Sequence, residues 1–293
     1  MNIDISIIIP VKNGIAGGIE KCLAGIFSQK TDYSYEVIAI DSGSADGTPY
    51  VIKKYPGIKL MHIRPEKFGH GRTRNLGARS AQGKYLVYIN QDAWPANESW
   101  LENMIDGFKD EDNIAAVYGR LIPKEGCHLF MRRDIEGSMG DKREIIAEQE
   151  KAKETTFSTI SVAVKKAVWE KIAFDDEIDI AEDKDWARKV LKCGYKISYE
   201  PSSAVYHSHD YNFGQMFVYK FRAEKVLRHI FNGKKRPVLG LFLALGGFTV
   251  KFASDIFYII GQKIGIMEKF AEIGISFSAR LASFSGRYLG GIS

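Results

Sequence analysis

The sequence predicts an α/β fold built on a buried, mostly parallel sheet. Residues 3–11, 35–41, 58–63 and 84–91 are short β-branched or aromatic runs, and helical patterns at 15–29, 47–55, 72–82 and 97–109 alternate with them. Their apolar stretches are nearly continuous, which is the pattern of strands covered on both faces by crossover helices. Ligands of such sheets bind at the carboxyl ends of the strands. The chemically informative residues sit there: Asp41, Ser42 and Gly43 after the second run, the glycine-rich FGHGRTRNLG of 68–77 after the third, and Asp92 after the fourth.

Beyond residue 113 the pattern changes to a strand (NIAAVYGRL), a polar and basic stretch through 155, and the segment TFSTISVAV. A helix over 181–193 and a strand over 196–207 close the body, and 212–293 reads as helices rich in Phe, Ile, Leu and Gly. The expected organisation is a domain over 1–209, in two halves of 1–95 and 96–209, followed by a helical extension over 210–293.

Charge is unevenly placed. The chain of 293 residues carries +5, but residues 210–293 hold 12 Lys/Arg against 5 Asp/Glu, which leaves −2 for the rest. A basic tail on a near-neutral body suits an anionic surface, and without a basic stripe interleaved with aromatics that surface is a membrane rather than nucleic acid. Cys22, Cys127 and Cys193 are an odd number without metal-ligand spacing, which excludes a disulfide framework and fits a reducing compartment. The apolar run Ile5–Val11 follows Asp4 and contains Pro10, so it reads as a strand and not as a signal peptide.

Three motifs converge on one resemblance. IAIDSGSADGT at 38–48, the Asp92 loop and the pair Glu182-Asp183 resemble the nucleotide, metal and base motifs of family 2 glycosyltransferases, over about residues 3–209. The resemblance implies the GT-A fold and inverting transfer from a nucleotide sugar. FGHGRTRNLG and the triplet Gln91-Asp92-Ala93 are similar to the bacterial rhamnosyltransferase branch. That similarity implies L-rhamnose from dTDP-L-rhamnose, or another dTDP- or UDP-sugar, delivered to a hydroxyl of a lipid-linked cell-surface glycan.

A carboxylate at a strand end can accept the N3–H of uracil or thymine, and the resemblance gives this role to Asp41. It also implies donor contacts from Pro10, Val11, Ser42, His70, Arg72, Arg74, Asn75 and Gln91. Backbone N–H groups at the helix start after Gly69, with guanidinium groups beside them, suit a pyrophosphate. Arg72 and Arg74 are two apart and cannot share a helix face, so one should meet phosphates and the other loop backbone. The plainer reading makes Asp41 and Ser42 a turn and Asp46 the cap of the next helix.

Asp92 is the one carboxylate in Asn90-Gln91-Asp92, where relatives carry two. A divalent ion bridging a pyrophosphate takes hard oxygen ligands. His207 and His209, alternate residues on an extended strand, point to one side and can complete a site for Mg²⁺ or Mn²⁺. By resemblance Asp183 is the general base, with Glu182 and Trp186 toward the acceptor, although Trp186 also suits a core position.

In the tail, the uncharged stretch Pro237–Val250 falls short of the roughly 20 residues a bilayer span needs. With Lys234, Lys235 and Arg236 just ahead of it, it reads as an interfacial helix on the inner face of the cell membrane. Packing within a homodimer is the competing use. A nucleotidyltransferase would need a more basic first loop than VKNGIAGG, a dehydrogenase would need GxGxxG after the first strand, and a non-catalytic scaffold would explain Asn90 alone.

Overall fold

A computed structural model describes residues 3–109 and 111–293. In chain order the elements are β1 (Ile5–Val11), α1 (Ile19–Phe27), β2 (Tyr35–Asp41), α2 (Thr48–Lys53), β3 (Ile58–His62), α3 (His70–Ser80), β4 (Tyr85–Ile89), β5 (Trp94–Pro95) and α4 (Trp100–Asp106). There follow β6 (Ile114–Ile122), α5 (Leu129–Ser138), β7 (Glu144–Ile146), β8 (Ser161–Lys165), α6 (Lys166–Trp169), α7 (Glu182–Lys192), β9 (Lys196–Tyr206), α8 (Phe213–Ile230), α9 (Pro237–Ile260) and α10 (Ile266–Ile292).

The chain divides into two compact units. The first runs to Ile122 and resumes over Met139–His207; the second is Pro123–Ser138 with Ser208–Ser293. Residues 123–138, placed by sequence pattern within 96–209, fall in the second unit.

The first unit holds one sheet in the order β3-β2-β1-β4-β8-β6-β9-β5, with β7 added alongside β9. The four strands β3 to β4 are parallel, while β8 runs antiparallel to both β4 and β6. The sheet is therefore mixed beyond these four strands. Six of the seven β1 residues are buried, which is what a central strand with two covered faces requires. Against it α1 lays Ile19, Cys22, Leu23 and Ile26, spaced to form one helical face. That helix starts four residues later than its pattern suggests, because Gly18 at φ 100° forms its amino-terminal boundary.

Register fixes what meets at the carboxyl edge. Val11 pairs with Asp41 and Asp41 with His62, so the ends of β1, β2 and β3 lie in one row. The residues that follow β4 and β9 complete that edge of the sheet.

The second unit is helical. Its α5 falls in the stretch read from sequence as polar and basic. Its side chains explain why: only Leu129 and Phe130 are buried, and it is held by charge instead. Asp134 accepts from Arg280 of α10 at 2.6 Å, Arg133 pairs with Asp255 of α9 at 2.8 Å, and Glu272 of α10 accepts from His128 and the Leu129 N–H at 3.0 and 2.9 Å. The fully buried Asp255 also accepts from Ser276 at 2.6 Å and from Arg280 at 2.7 and 3.0 Å. Every strong acceptor in this cluster has donors, as a buried carboxylate demands.

The tail helix α9 differs from its expected length. It continues through Lys251 and Asp255 to 24 residues. By length and composition alone it is sufficient to cross a membrane.

Candidate active site

The carboxyl ends of β1, β2 and β4 carry a hydrogen-bonded lattice of loops. Asp41 is 3% exposed and closes on Ser44, whose hydroxyl donates at 2.5 Å, while His62 Nδ1 lies 3.2 Å from the other carboxylate oxygen. Ser42 is buried and spends its hydroxyl and N–H on the carbonyl of Val11, at 3.0 and 2.9 Å, tying β2 to β1. Asp46 is less a simple helix cap than a staple. It accepts from the Thr48 hydroxyl at 2.5 Å and from the Ile15 N–H at 3.1 Å, joining the loops after β1 and β2. Asn13, left-handed at φ 47°, donates its N–H to Ser44 at 2.8 Å and accepts from Ala45 at 2.8 Å.

Gln91 zips the end of β4 to the first loop through the Lys12 N–H and carbonyl, at 2.9 and 2.8 Å. Gly14 lies against the same amide; a Cβ there would stand 2.7 Å from its oxygen. Pro10 and Val11 end β1 beside this lattice.

The glycine-rich segment opens α3 at His70, two residues earlier than the pattern suggests. His70 is exposed and meets the ring of Phe68 edge-on at 5.1 Å. The two arginines do diverge. Arg72 reaches the carbonyl of Asp176 at 3.1 Å, whereas Arg74 is buried at 3% exposure. Its guanidinium donates to Glu182 at 2.7 Å, Asn90 at 3.1 Å and the carbonyl of His70 at 3.2 Å. Asn75 is also fully engaged, donating to the Phe174 carbonyl and Asp176 and accepting from Trp169, each at 2.8 Å. Gly71 admits that loop: a Cβ there would lie 2.5 Å from the carbonyl of Asp175.

Asp92 and His207 come together after β4 and β9, with Nε2 of His207 3.5 Å from the carboxylate. His207 is 4% exposed and its N–H is anchored on Ile122 at 2.8 Å. The two offer an oxygen and an imidazole nitrogen, the donor set of a divalent-metal site. His209 follows two residues later, in the second unit, where its ring stacks on Tyr211.

The last motif opens α7. Ala181 precedes it in the left-handed region at φ 63°, a conformation that costs a non-glycine residue about 1 kcal/mol or more. Glu182, 5% exposed, is committed to Arg74 and to the Thr159 hydroxyl at 3.2 Å. Asp185 is paired with Arg188 and Lys189 at 3.0 and 2.6 Å. Asp183 stands apart from these ion pairs. Burial first and the Glu182 charge second push its carboxyl up to about 6, against the smaller opposing charges of Lys184 and Arg74. A carboxylate so tuned holds and releases a proton near neutral pH.

Trp186 corrects an expectation. It is fully buried, donates its indole N–H to the Ile172 carbonyl at 2.7 Å, and packs on Phe157 and Phe174 at ring distances of 5.8 and 5.6 Å. It has no face to offer an acceptor. Conversely, Ser44, His62, Asn90 and Thr159 belong to the network without having been read as site residues. His62 had one signal, since it ends β3 as Asp41 ends β2.

The family model for glycosyl transferase family 2 matches residues 6–172. The O-antigen chain rhamnosyltransferase RfbN of Salmonella typhimurium is 30% identical over 213 residues, covering 71% of this chain and 67% of that protein. The O-antigen chain rhamnosyltransferase WbaN of Salmonella anatum is 30% identical, covering 65% of this chain and 62% of its own length. Among solved structures, the mannosyltransferase PcManGT from Pyrobaculum calidifontis, in complex with GDP-Man and Mn²⁺, aligns over 100% of this chain and 86% of its own, at a TM-score of 0.60 and 19% identity. S. aureus TarS 1-349 with UDP-GlcNAc aligns over 97% and 74%, at 0.59 and 18%. These likenesses show a shared GT-A fold.

Proposed function

The chain belongs to glycosyl transferase family 2, and on that footing we propose that it is an inverting rhamnosyltransferase, using dTDP-L-rhamnose to glycosylate a hydroxyl of a lipid-linked glycan. The observation that carries the mechanism is Asp183, the acid of its motif left outside the ion pairs and tuned to about 6. Inversion needs one base at the acceptor hydroxyl, support for the departing pyrophosphate, and no nucleophile on the enzyme. Asp183 receives the acceptor proton as the oxygen attacks the anomeric carbon. Asp41, steadied by Ser44 and His62, accepts the N3–H of the donor base. His70 and Arg72 at the start of α3 face the diphosphate, with Gln91 shaping the loop beneath it.

Asp92 and His207 would hold Mg²⁺ or Mn²⁺. The imidazole donor favours Mn²⁺, because Mg²⁺ prefers oxygen alone. Such an ion would offset the charge of the leaving pyrophosphate. Support for rhamnose comes from the likeness to two O-antigen chain rhamnosyltransferases, and support for a metal from the Mn²⁺ complex of the mannosyltransferase. Attachment of α9 and its basic approach to the cytoplasmic face of the membrane would bring the site to a lipid-linked acceptor.

The test is a panel of dTDP-, UDP- and GDP-sugars assayed for nucleotide release with and without a lipid-linked acceptor. dTDP-L-rhamnose should be consumed fastest, only with acceptor, and chelator should suppress release. Asp41→Ala should weaken dTDP and UDP binding by about tenfold, the weight of one lost charged hydrogen bond. Acceptor-dependent release from no donor in the panel would instead favour a non-catalytic scaffold.

A further inference from the structure

Arg74, expected from the sequence among the donor contacts, spends its guanidinium on the protein itself. It sits on α3 with 3% exposure and reaches three elements: its own helix through the carbonyl of His70, the end of β4 through Asn90, and the start of α7 through Glu182. Glu182 and Asp183 are adjacent in sequence, and Asn90 stands two residues before Asp92. Glu182 is further pinned by the Thr159 hydroxyl at 3.2 Å, and the Asn90 N–H by the carbonyl of Ile160 at 3.0 Å, so both partners of the guanidinium are anchored on the approach to β8.

We propose that Arg74 is a positioning residue for transfer: through Glu182 it fixes the start of α7 and the charge beside Asp183, and through Asn90 it ties that base to the strand end carrying Asp92. The proposal rests on Asp183 being the base. It explains Asn90 without invoking a decayed site, because the amide oxygen accepts from Arg74 at 3.1 Å.

The physical case is one of charge in a confined place. The ionisable groups acting on Asp183 are Glu182 and Lys184 from its own helix and Arg74 from α3. Asp185 is paired instead with Arg188 and Lys189, and the Lys184 ammonium donates to the carbonyl of Thr155. Glu182 disfavours ionisation of its neighbour, and Arg74 favours it while neutralising Glu182. A buried carboxylate stripped of the guanidinium that pairs it would be costly, so Arg74 also helps α7 keep its strained start at Ala181.

The experiment compares pH–rate profiles of the full-length protein at saturating donor and acceptor for wild type, Arg74→Gln, Glu182→Gln, the double variant Arg74→Gln/Glu182→Gln, Asn90→Ala and Asp183→Asn. Activity needs the base ionised, so it falls on the acid side. Removing the Arg74 cation should move that acid limb up by about half a pH unit, and removing the Glu182 anion should move it down by about one unit. The double variant should lie between them and fold more readily than either single one, since an ion pair removed together leaves no orphan charge. Asn90→Ala should leave the limb in place and raise the donor KM several-fold. A merely structural pair would lower rate at every pH without moving the limb, and that result in Glu182→Gln and the double variant overturns the proposal even if Arg74→Gln does not fold. An acid limb that persists in Asp183→Asn overturns the base assignment itself; a limb that vanishes there yet stays fixed in the pair variants overturns only the role of Arg74.

Discussion

At the scale of the residue, the three acids that open α7 show how environment divides identical chemistry. Asp185 and Glu182 are neutralised by cations, and Asp183 is half-buried beside a like charge. Its carboxyl keeps a proton up to about pH 6 when folded, against an ordinary value of 3.8. The folded state thus binds more protons than the unfolded one between those values, and stability falls as pH rises through that window. Above it the penalty is complete, with a ceiling of about 3 kcal/mol at roughly 1.4 kcal/mol per unit. Asp183→Asn should therefore raise the unfolding midpoint at pH 8 and change it little at pH 4. Denaturant melts at both pH values check this; an Asn variant no more stable than wild type at pH 8 would contradict the environment assigned to Asp183.

At the scale of the element, α9 presents two chemistries along its length. Its later half is fastened by Asp255 to Arg133 and Arg280. Up to Val250 it exposes Val238, Leu239, Leu241, Phe242, Leu243, Leu245 and Val250. At 3.6 residues per turn these cover about 200° of the circumference, wider than the stripe of roughly 100° that packing on another helix would use. A lipid phase can cover such an arc, and Lys234, Lys235 and Arg236 precede it without an intervening acid. Phe242→Ser/Leu243→Ser should release the protein from vesicles containing anionic lipid in a flotation assay while leaving dTDP binding intact. Unchanged flotation together with a shift from dimer to monomer would assign this face to a second copy of the chain.

At the scale of the whole molecule, what was legible in the sequence followed from local periodicity and position. The second strand was read to its last residue, Asp41, and the acids after 181 were placed correctly at a helix start, because strand pattern and dipole-favoured acids are local signals. Long-range pairing was not legible. Nothing near Arg74 announces Glu182, 108 positions away, so the sequence offered only phosphate or loop backbone as its partner. Nothing around Trp186 distinguishes a sugar platform from a core filled by Phe157 and Phe174. The helix α5 escaped because ion pairs rather than an apolar face hold it, and α9 looked short because Lys251 and Asp255 end its uncharged run without ending the helix.

Asp183 is tested most directly by one measurement: turnover of dTDP-L-rhamnose onto acceptor by Asp183→Asn beside Asp185→Asn, at saturating donor, with dTDP affinity measured by calorimetry. Both substitutions keep shape and remove one negative charge from the first turn of α7. If Asp183 takes the acceptor proton, its Asn variant should lose about 10² to 10⁴ in kcat with dTDP affinity unchanged, and the Asp185 variant should lose at most a few-fold. Asp183→Asn turning over at the wild-type rate, or Asp185→Asn losing as much, would contradict the assignment of the base.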